Sequence, residues 1–176
     1  MSFYGKLAQG YDRMTGFEER RPAARRFAAS CIERFAPALV LDDTGGTEIY
    51  TLAFAENGVA ATGTDRSGEM LSRAKANGER RGVPAQWQQA DMTALPPAFE
   101  NRFDLLVCLG NSLPHLLTAE DLQAAFRGFR RCLRPGGTAL TQLLNYRRVL
   151  ERRERIVGIN RGDDAEYVRF YDFLEN

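Results

Sequence analysis

From residue 38 to residue 144 the chain alternates short apolar runs with longer segments whose apolar residues recur at helical spacing. No other feature restricts the fold as much. The runs are ALVLD (38–42), VAATGTD (59–65), AQWQQAD (85–91), FDLLVCLGN (103–111) and TALTQLL (138–144), the last entered through an RPGG turn. Between them lie TEIYTLAFAENG, ended by Gly58, and residues 68–80, which carry Met70, Leu71 and Ala74 on one side. A third such segment opens with TAED (118–121), a capping box, and continues with Leu122, Ala125, Phe126, Phe129 and Leu133. Strands alternating with helices of about 10–15 residues imply βαβ units, hence a mostly parallel sheet with helices on both faces. FDLLVCLGN is the most apolar run and is expected at the sheet centre. Before the first run, Ala24, Phe27, Ala28, Cys31, Ile32 and Phe35 mark one face of a helix over about 17–35. Beyond Tyr146 the grammar changes: ERIVGIN, RGDD and AEYVRFYDF predict an antiparallel hairpin.

A chain of 176 residues is long enough for one domain with its own core. We divide it into an N-terminal cap and first helix (1–36), a core (37–146) and a hairpin region (147–176). Net charge is +1, so no strong field favours nucleic acid or an anionic membrane. The basic residues are nearly all arginine, Lys6 and Lys75 being the lysines, which reads as lineage bias. Arginines 147, 148, 152, 153 and 155 read as a solvated helix face. Cys31, Cys108 and Cys132 are scattered, which points to reduced thiols in the cytoplasm. With a single histidine and no Cys/His spacing, no metal is expected. No apolar run approaches the ~20 residues of a membrane span.

In open α/β sheets, ligands sit outside the carboxyl ends of the strands. Four features fall there: Asp42 with the Gly45–Gly46 turn, Asp65, Asp91, and CLGNSLPH (108–115). Glycines let backbone approach a ligand, and the helix that follows offers free N–H groups to an anion. Asp65 is placed to accept from a ribose diol, and Asp91 from an exocyclic amine such as adenine N6. A lone aspartate ending a strand is commonly a turn-former. The set, in order and one βα unit apart, is far more specific.

With these residues in place, the chain resembles the class I S-adenosylmethionine-dependent methyltransferases, which have a Rossmann-like three-layer α/β/α fold. The matching stretches are VLDDTGGTE, ATGTDRSGEMLSRA, QADMTALP, FDLLVCLGNSLPHLL and LRPGGTALTQLLNYRRVL. CLGNSLPHL and the later Asn145–Tyr146 are most similar to the glycine N-methyltransferase-like branch. The resemblance implies S-adenosylmethionine as cofactor and a small-molecule acceptor with an N or O nucleophile. It implies that Thr44, Gly45 and Gly46 line the cofactor, with Asp42 buttressing the loop, Asp65 on the ribose and Asp91 and Met92 on the adenine. Leu109 lies beside the methionine part, and Arg20, with Arg21 as rival, pairs with the cofactor carboxylate. On the acceptor side it places Tyr4, Tyr11, Asn111 and Asn145, with His115 as the candidate base.

Three departures bear on function. Glu48 stands where the family has glycine; it must point away from the cofactor or crowd it. Pointing away, at the helix N-terminus, an anion gains ~0.3–1 kcal/mol from the dipole, and this is the reading adopted. Leu144 stands where glycine-methylating relatives have an arginine for the acceptor carboxylate, which argues against glycine or sarcosine. Relatives also continue past the hairpin to finish the sheet. The open edge is then covered by a homo- or hetero-oligomeric partner, filled by the hairpin, or left by a fragment. Two other functions stay in view. One is a degenerate, regulatory relative acting through a partner chain. The other is a nicotinamide oxidoreductase, which would want G-x-G-x-x-G where the chain has DTGGTE.

Overall fold

The computed structural model describes residues 10–161 and 166–174. After a helical turn through residues 10–15 come α1 (Phe17–Phe35), β1 (Leu39–Asp43), α2 (Ile49–Glu56), β2 (Ala60–Asp65), α3 (Gly68–Arg81) and β3 (Gln86–Gln89). Then follow β4 (Phe103–Cys108), α4 (Ala119–Cys132), β5 (Leu133–Thr141), α5 (Tyr146–Arg152), β6 (Ile156–Arg161) and β7 (Glu166–Phe170), with short 3-10 turns at Pro97–Phe99 and Leu113–His115. Five strands form one parallel sheet in the order β3-β2-β1-β4-β5.

The alternation of side chains along each strand divides the interior into two cores. Val40, Leu105 and Val107 face α1 and α2, packing with Ala28, Leu52 and Phe54. Leu41, Leu106 and Cys108 face the other way, onto Ala125, Phe129 and Cys132 of α4. Each fully buried phenylalanine contributes on the order of 1.5–3 kcal/mol. Thr118 caps α4 as its sequence predicts, accepting from Asp121 N–H at 3.1 Å. Asp104 fastens the amino end of β1: one carboxylate oxygen accepts from Ala38 and Leu39 N–H at 2.8 and 2.9 Å, the other from Arg134 Nε at 2.9 Å.

The central strand is β1, with β4 beside it. The expectation that put the most apolar strand at the centre is corrected by one position. Apolarity reports burial on both faces, and β1 and β4 are both buried that way; order across the sheet comes from the crossovers. β5 also starts earlier than TALTQLL: Leu133 pairs with Phe103, and the register then shifts before Leu105 meets Thr138. The Pro-Gly-Gly segment is accommodated inside the strand as this irregularity.

The predicted hairpin is present as β6 and β7, antiparallel, but a short exposed helix, α5, precedes it. Among the described residues the ribbon pairs only with itself and does not lie beside β5. Its Asn160 side-chain amide donates to Met14 O, so it leans on the N-terminal segment. Asp12 ties that segment to α3, accepting from Arg73 Nε at 2.8 Å and Asn77 Nδ2 at 3.2 Å. No helix among the described residues is long and apolar enough to cross a membrane.

Candidate functional site

The carboxyl ends of β1, β2, β3 and β4 open onto a cleft of about 760 Å³. Tyr11, Thr44, Gly46, Asp65, Asp91, Met92 and His115, all named in the sequence analysis, line it. Tyr11 closes one side, its ring against Gly46. Asp42, Gly45, Arg20, Leu109, Asn111 and Asn145 are not among its lining residues. Tyr4 lies outside the described residues.

Five of the described ones sit elsewhere. Asp42 is fully buried beneath the loop. Arg20 is exposed on α1. Leu109 belongs to the α1–α2 core. The Asn111 side chain is used at both ends: its Nδ2 donates to Tyr146 Oη at 2.6 Å, and its Oδ1 accepts from Leu144 N–H at 3.1 Å. That amide fastens the loop after β4 to the chain leaving β5, with Asn111 itself left-handed at φ 72°. Asn145 caps α5, accepting from Arg148 N–H at 3.1 Å.

The loop from β1 to α2 turns by three left-handed residues, Thr44, Gly46 and Glu48, at φ 66°, 64° and 64°. Two of them carry side chains, at a cost of about 1–2 kcal/mol each. For Thr44 the β-branch makes this worse. The loop is held regardless, because its neighbours over-determine it: Thr44 N–H donates to Thr64 O at 2.7 Å, and Ser112 Oγ reaches Thr44 O at 3.2 Å. Thr44→Gly is therefore expected to raise stability by about 1 kcal/mol, read as a rise in the denaturant midpoint at unchanged m.

Asp65 sits where loop and cleft meet. Its Oδ2 accepts from Gly46 N–H at 3.1 Å and its Oδ1 from Ser67 N–H at 2.8 Å. Burial raises its pKa, opposed by these two N–H groups and by Arg66. Asp91 accepts from the backbone and hydroxyl of Thr93 at 2.9 and 2.7 Å. Its pKa falls because those bonds and Arg66, 3.8 Å away, outweigh its partial burial. Glu69 and Asp121 also face the cleft. The walls thus carry more acid than base among the described residues, a field that suits a cationic ligand.

Glu48 points away from the cleft, the adopted alternative, and it stands at the helix N-terminus. What differs from the sequence reading is that it is buried. It is 0% exposed, its side chain turned under the loop toward Asp42 and Thr51. Ser67, not singled out in the sequence, lines the cleft, as do Gly110 and Ser112, which the sequence offered only as part of CLGNSLPH. Ser67 was legible as the N-cap of α3, where it accepts from Met70 N–H at 3.3 Å. Nothing local in CLGNSLPH shows that the Ser112 hydroxyl joins two loops far apart in sequence. A separate groove beside Arg21, Arg25 and Arg81 offers an anion little, since Glu18 and Glu56 already pair with those guanidinium groups. The three cysteines are free and buried, and no metal-ligating group occurs among the described residues.

Comparison with known proteins places this geometry. The family described as "Methyltransferase domain" matches residues 40–137. A glycine/sarcosine N-methyltransferase of Parasynechococcus marenigrum is 30% identical over 141 residues, 80% of this chain and 50% of that protein. One from Halorhodospira halochloris is 28% identical over 141 residues, covering 80% and 53%. This chain thus spans about half the length of these curated relatives. A solved S-adenosylmethionine-dependent methyltransferase of Clostridium acetobutylicum superposes with a TM-score of 0.74 at 21% identity, covering 97% of this chain and 71% of its own. A structure from Methanococcus maripaludis has a TM-score of 0.69 at 17% identity, covering 99% and 98%. These two establish the fold.

Proposed function

Because this chain belongs to the methyltransferase-domain family, we propose that it binds S-adenosylmethionine in the cleft and methylates a small-molecule amine or hydroxyl. One observation carries this reading. Gly46, Asp65 and Asp91, from three successive strand ends, face a single cleft of the size small-ligand sites usually have. The residues fit the cofactor chemically. Asp65 would take the ribose hydroxyls, Asp91 and Met92 the adenine, and the loop backbone at Thr44 and Gly46 the amino-acid part. The sulfonium, when bound, supplies an already activated methyl group. What falls to the protein is to hold the acceptor in line and keep water out.

Tyr11 and the N-terminal segment would cover the acceptor side, and His115 would hold a proton if the acceptor arrives charged. Leu144 offers no cation to an acceptor carboxylate, and the acidic walls favour an amine that lacks one. This sets the chain apart from what the names of its glycine/sarcosine relatives state. A second reading has a specific observation behind it: two of the three left-handed loop positions carry threonine and glutamate where glycine would be unstrained. In that reading the chain is a regulatory relative that works through a partner. Residence in the cytoplasm, a single-domain organisation, and a homo- or hetero-oligomeric partner over the free edge of β5 belong to the first proposal.

Isothermal titration with S-adenosylmethionine and with NADH decides between them. Saturable binding of the first and none of the second is expected. No binding of either would sink the enzyme reading and leave the regulatory one. A strict monomer in sedimentation would remove the edge-covering partner.

A further inference from the structure

The loop conceals a side chain that the proposed chemistry does not use. Glu48 is fully buried, and room for its carboxyl comes from two glycines. A Cβ on Gly45 would come within 2.3 Å of Glu48 Oε2, and a Cβ on Gly63 of β2 within 2.5 Å. The carboxyl therefore occupies a space that the rest of the sequence keeps open.

Its hydrogen bonds require one proton more than the neighbours supply. Thr51 Oγ1 lies 2.6 Å from Glu48 Oε2 and 2.9 Å from Asp42 Oδ2. A threonine hydroxyl has one hydrogen, so it serves one of these oxygens as donor and must accept from the other. Asp42 Oδ2 also accepts Thr51 N–H at 2.9 Å, which makes Asp42 the better site for the negative charge. The second proton then sits on Glu48. We propose that Glu48 is a positioning residue of the cleft. Its protonated carboxyl, seated between Gly45 and Gly63, pins the strained loop to β1 and α2 through Asp42 and Thr51. Gly46, whose N–H reaches Asp65 in the cleft, is thereby held in place.

The surroundings agree. Burial, above all, raises the pKa of Glu48 well above 4.5, and the acids Asp42 of β1 and Asp65 at the end of β2 raise it further, while the Thr51 hydroxyl of α2 works the other way. A carboxyl with a raised folded pKa stabilises the fold while protonated, and that contribution is lost as pH climbs through the folded value. Deprotonation would set like charges side by side under the loop and release it.

The part of this inference that concerns ligand affinity rests on the proposed cofactor; the proton assignment does not. The experiment therefore has two arms, wild type against Glu48→Gln, whose amide keeps a donor but cannot ionise. In the first arm, the wild-type-minus-variant infrared difference spectrum of the ligand-free proteins at neutral pH should show a protonated-carboxyl stretch from Glu48, the Asp43 contribution being common to both proteins and cancelling. Absence of that band overturns the proposal whatever binds. In the second, S-adenosylmethionine affinity measured against pH should fall up to about tenfold per unit above the folded pKa in wild type and stay flatter in the variant. Equal slopes in the two proteins overturn the coupling. If the band is present and no cofactor binds at any pH, the methyltransferase reading fails and the proton assignment stands.

Discussion

Asp65→Ala should weaken S-adenosylmethionine binding by about 100-fold to 10,000-fold while the protein stays folded. A ribose diol donating to a carboxylate makes charge-assisted hydrogen bonds worth about 1.5–3 kcal/mol each, and 1.4 kcal/mol is a factor of ten. The same carboxylate holds Gly46 N–H and Ser67 N–H, so its loss also frees the turn that forms the cleft wall. Asp65→Asn keeps an acceptor and loses the charge; its affinity should fall between the two. Titration calorimetry gives the affinities, and thermal melting shows whether the fold is intact. An Asp65→Ala protein that is folded and binds with wild-type affinity would remove Asp65 from the proposed site.

The second large effect is a stability that declines as pH rises from about 4 to about 8. Burial pushes Asp42 from 3.8 up to about 6 and Asp43 from 3.8 up to about 7, and Glu48 is raised with them. In each case the protonated form favours folding. The contribution is complete below the unfolded values and is lost as pH climbs through the folded ones. A shift of one unit corresponds to about 1.4 kcal/mol. Across the window the loss is on the order of 3 kcal/mol or more, a drop of roughly 6–12 °C in Tm for a chain of this size. Asp91 acts in the opposite sense, since its lowered pKa adds stability above the unfolded value and loses it on acidification. Melting curves at several pH values check the sign, and Asp43→Asn should flatten the upper part of the profile. A Tm that rises steadily from pH 5 to pH 8 would contradict the burial of these acids.

Much of the fold could be read from the chain because period and punctuation are local properties. Apolar residues at helical spacing gave α1, α3 and α4 within a residue or two, and each run ending in an aspartate became a strand end on the cleft side. Asp65 and Asp91 come to the cleft for the same reason, since a strand end fixes where the next side chains must be, whereas Met92 was named only through the family resemblance. What the resemblance implied for other residues was less local. Asn111, named for the acceptor side, has its amide taken up by Tyr146 and by Leu144 N–H, more than thirty residues away. Leu109, in the same run, turns into the core instead.

By itself, then, the sequence determined a parallel α/β sheet, the order of its strands along the chain, and the strand ends at which the cleft opens. Those follow from the alternation of periods and from the handedness of βα crossovers. Only the tertiary structure decided the fate of Glu48. Nothing local says which way a long acid at a left-handed position will turn. That depended on two glycines, one three residues away and one on the neighbouring strand, whose missing side chains leave the carboxyl a space beside Asp42.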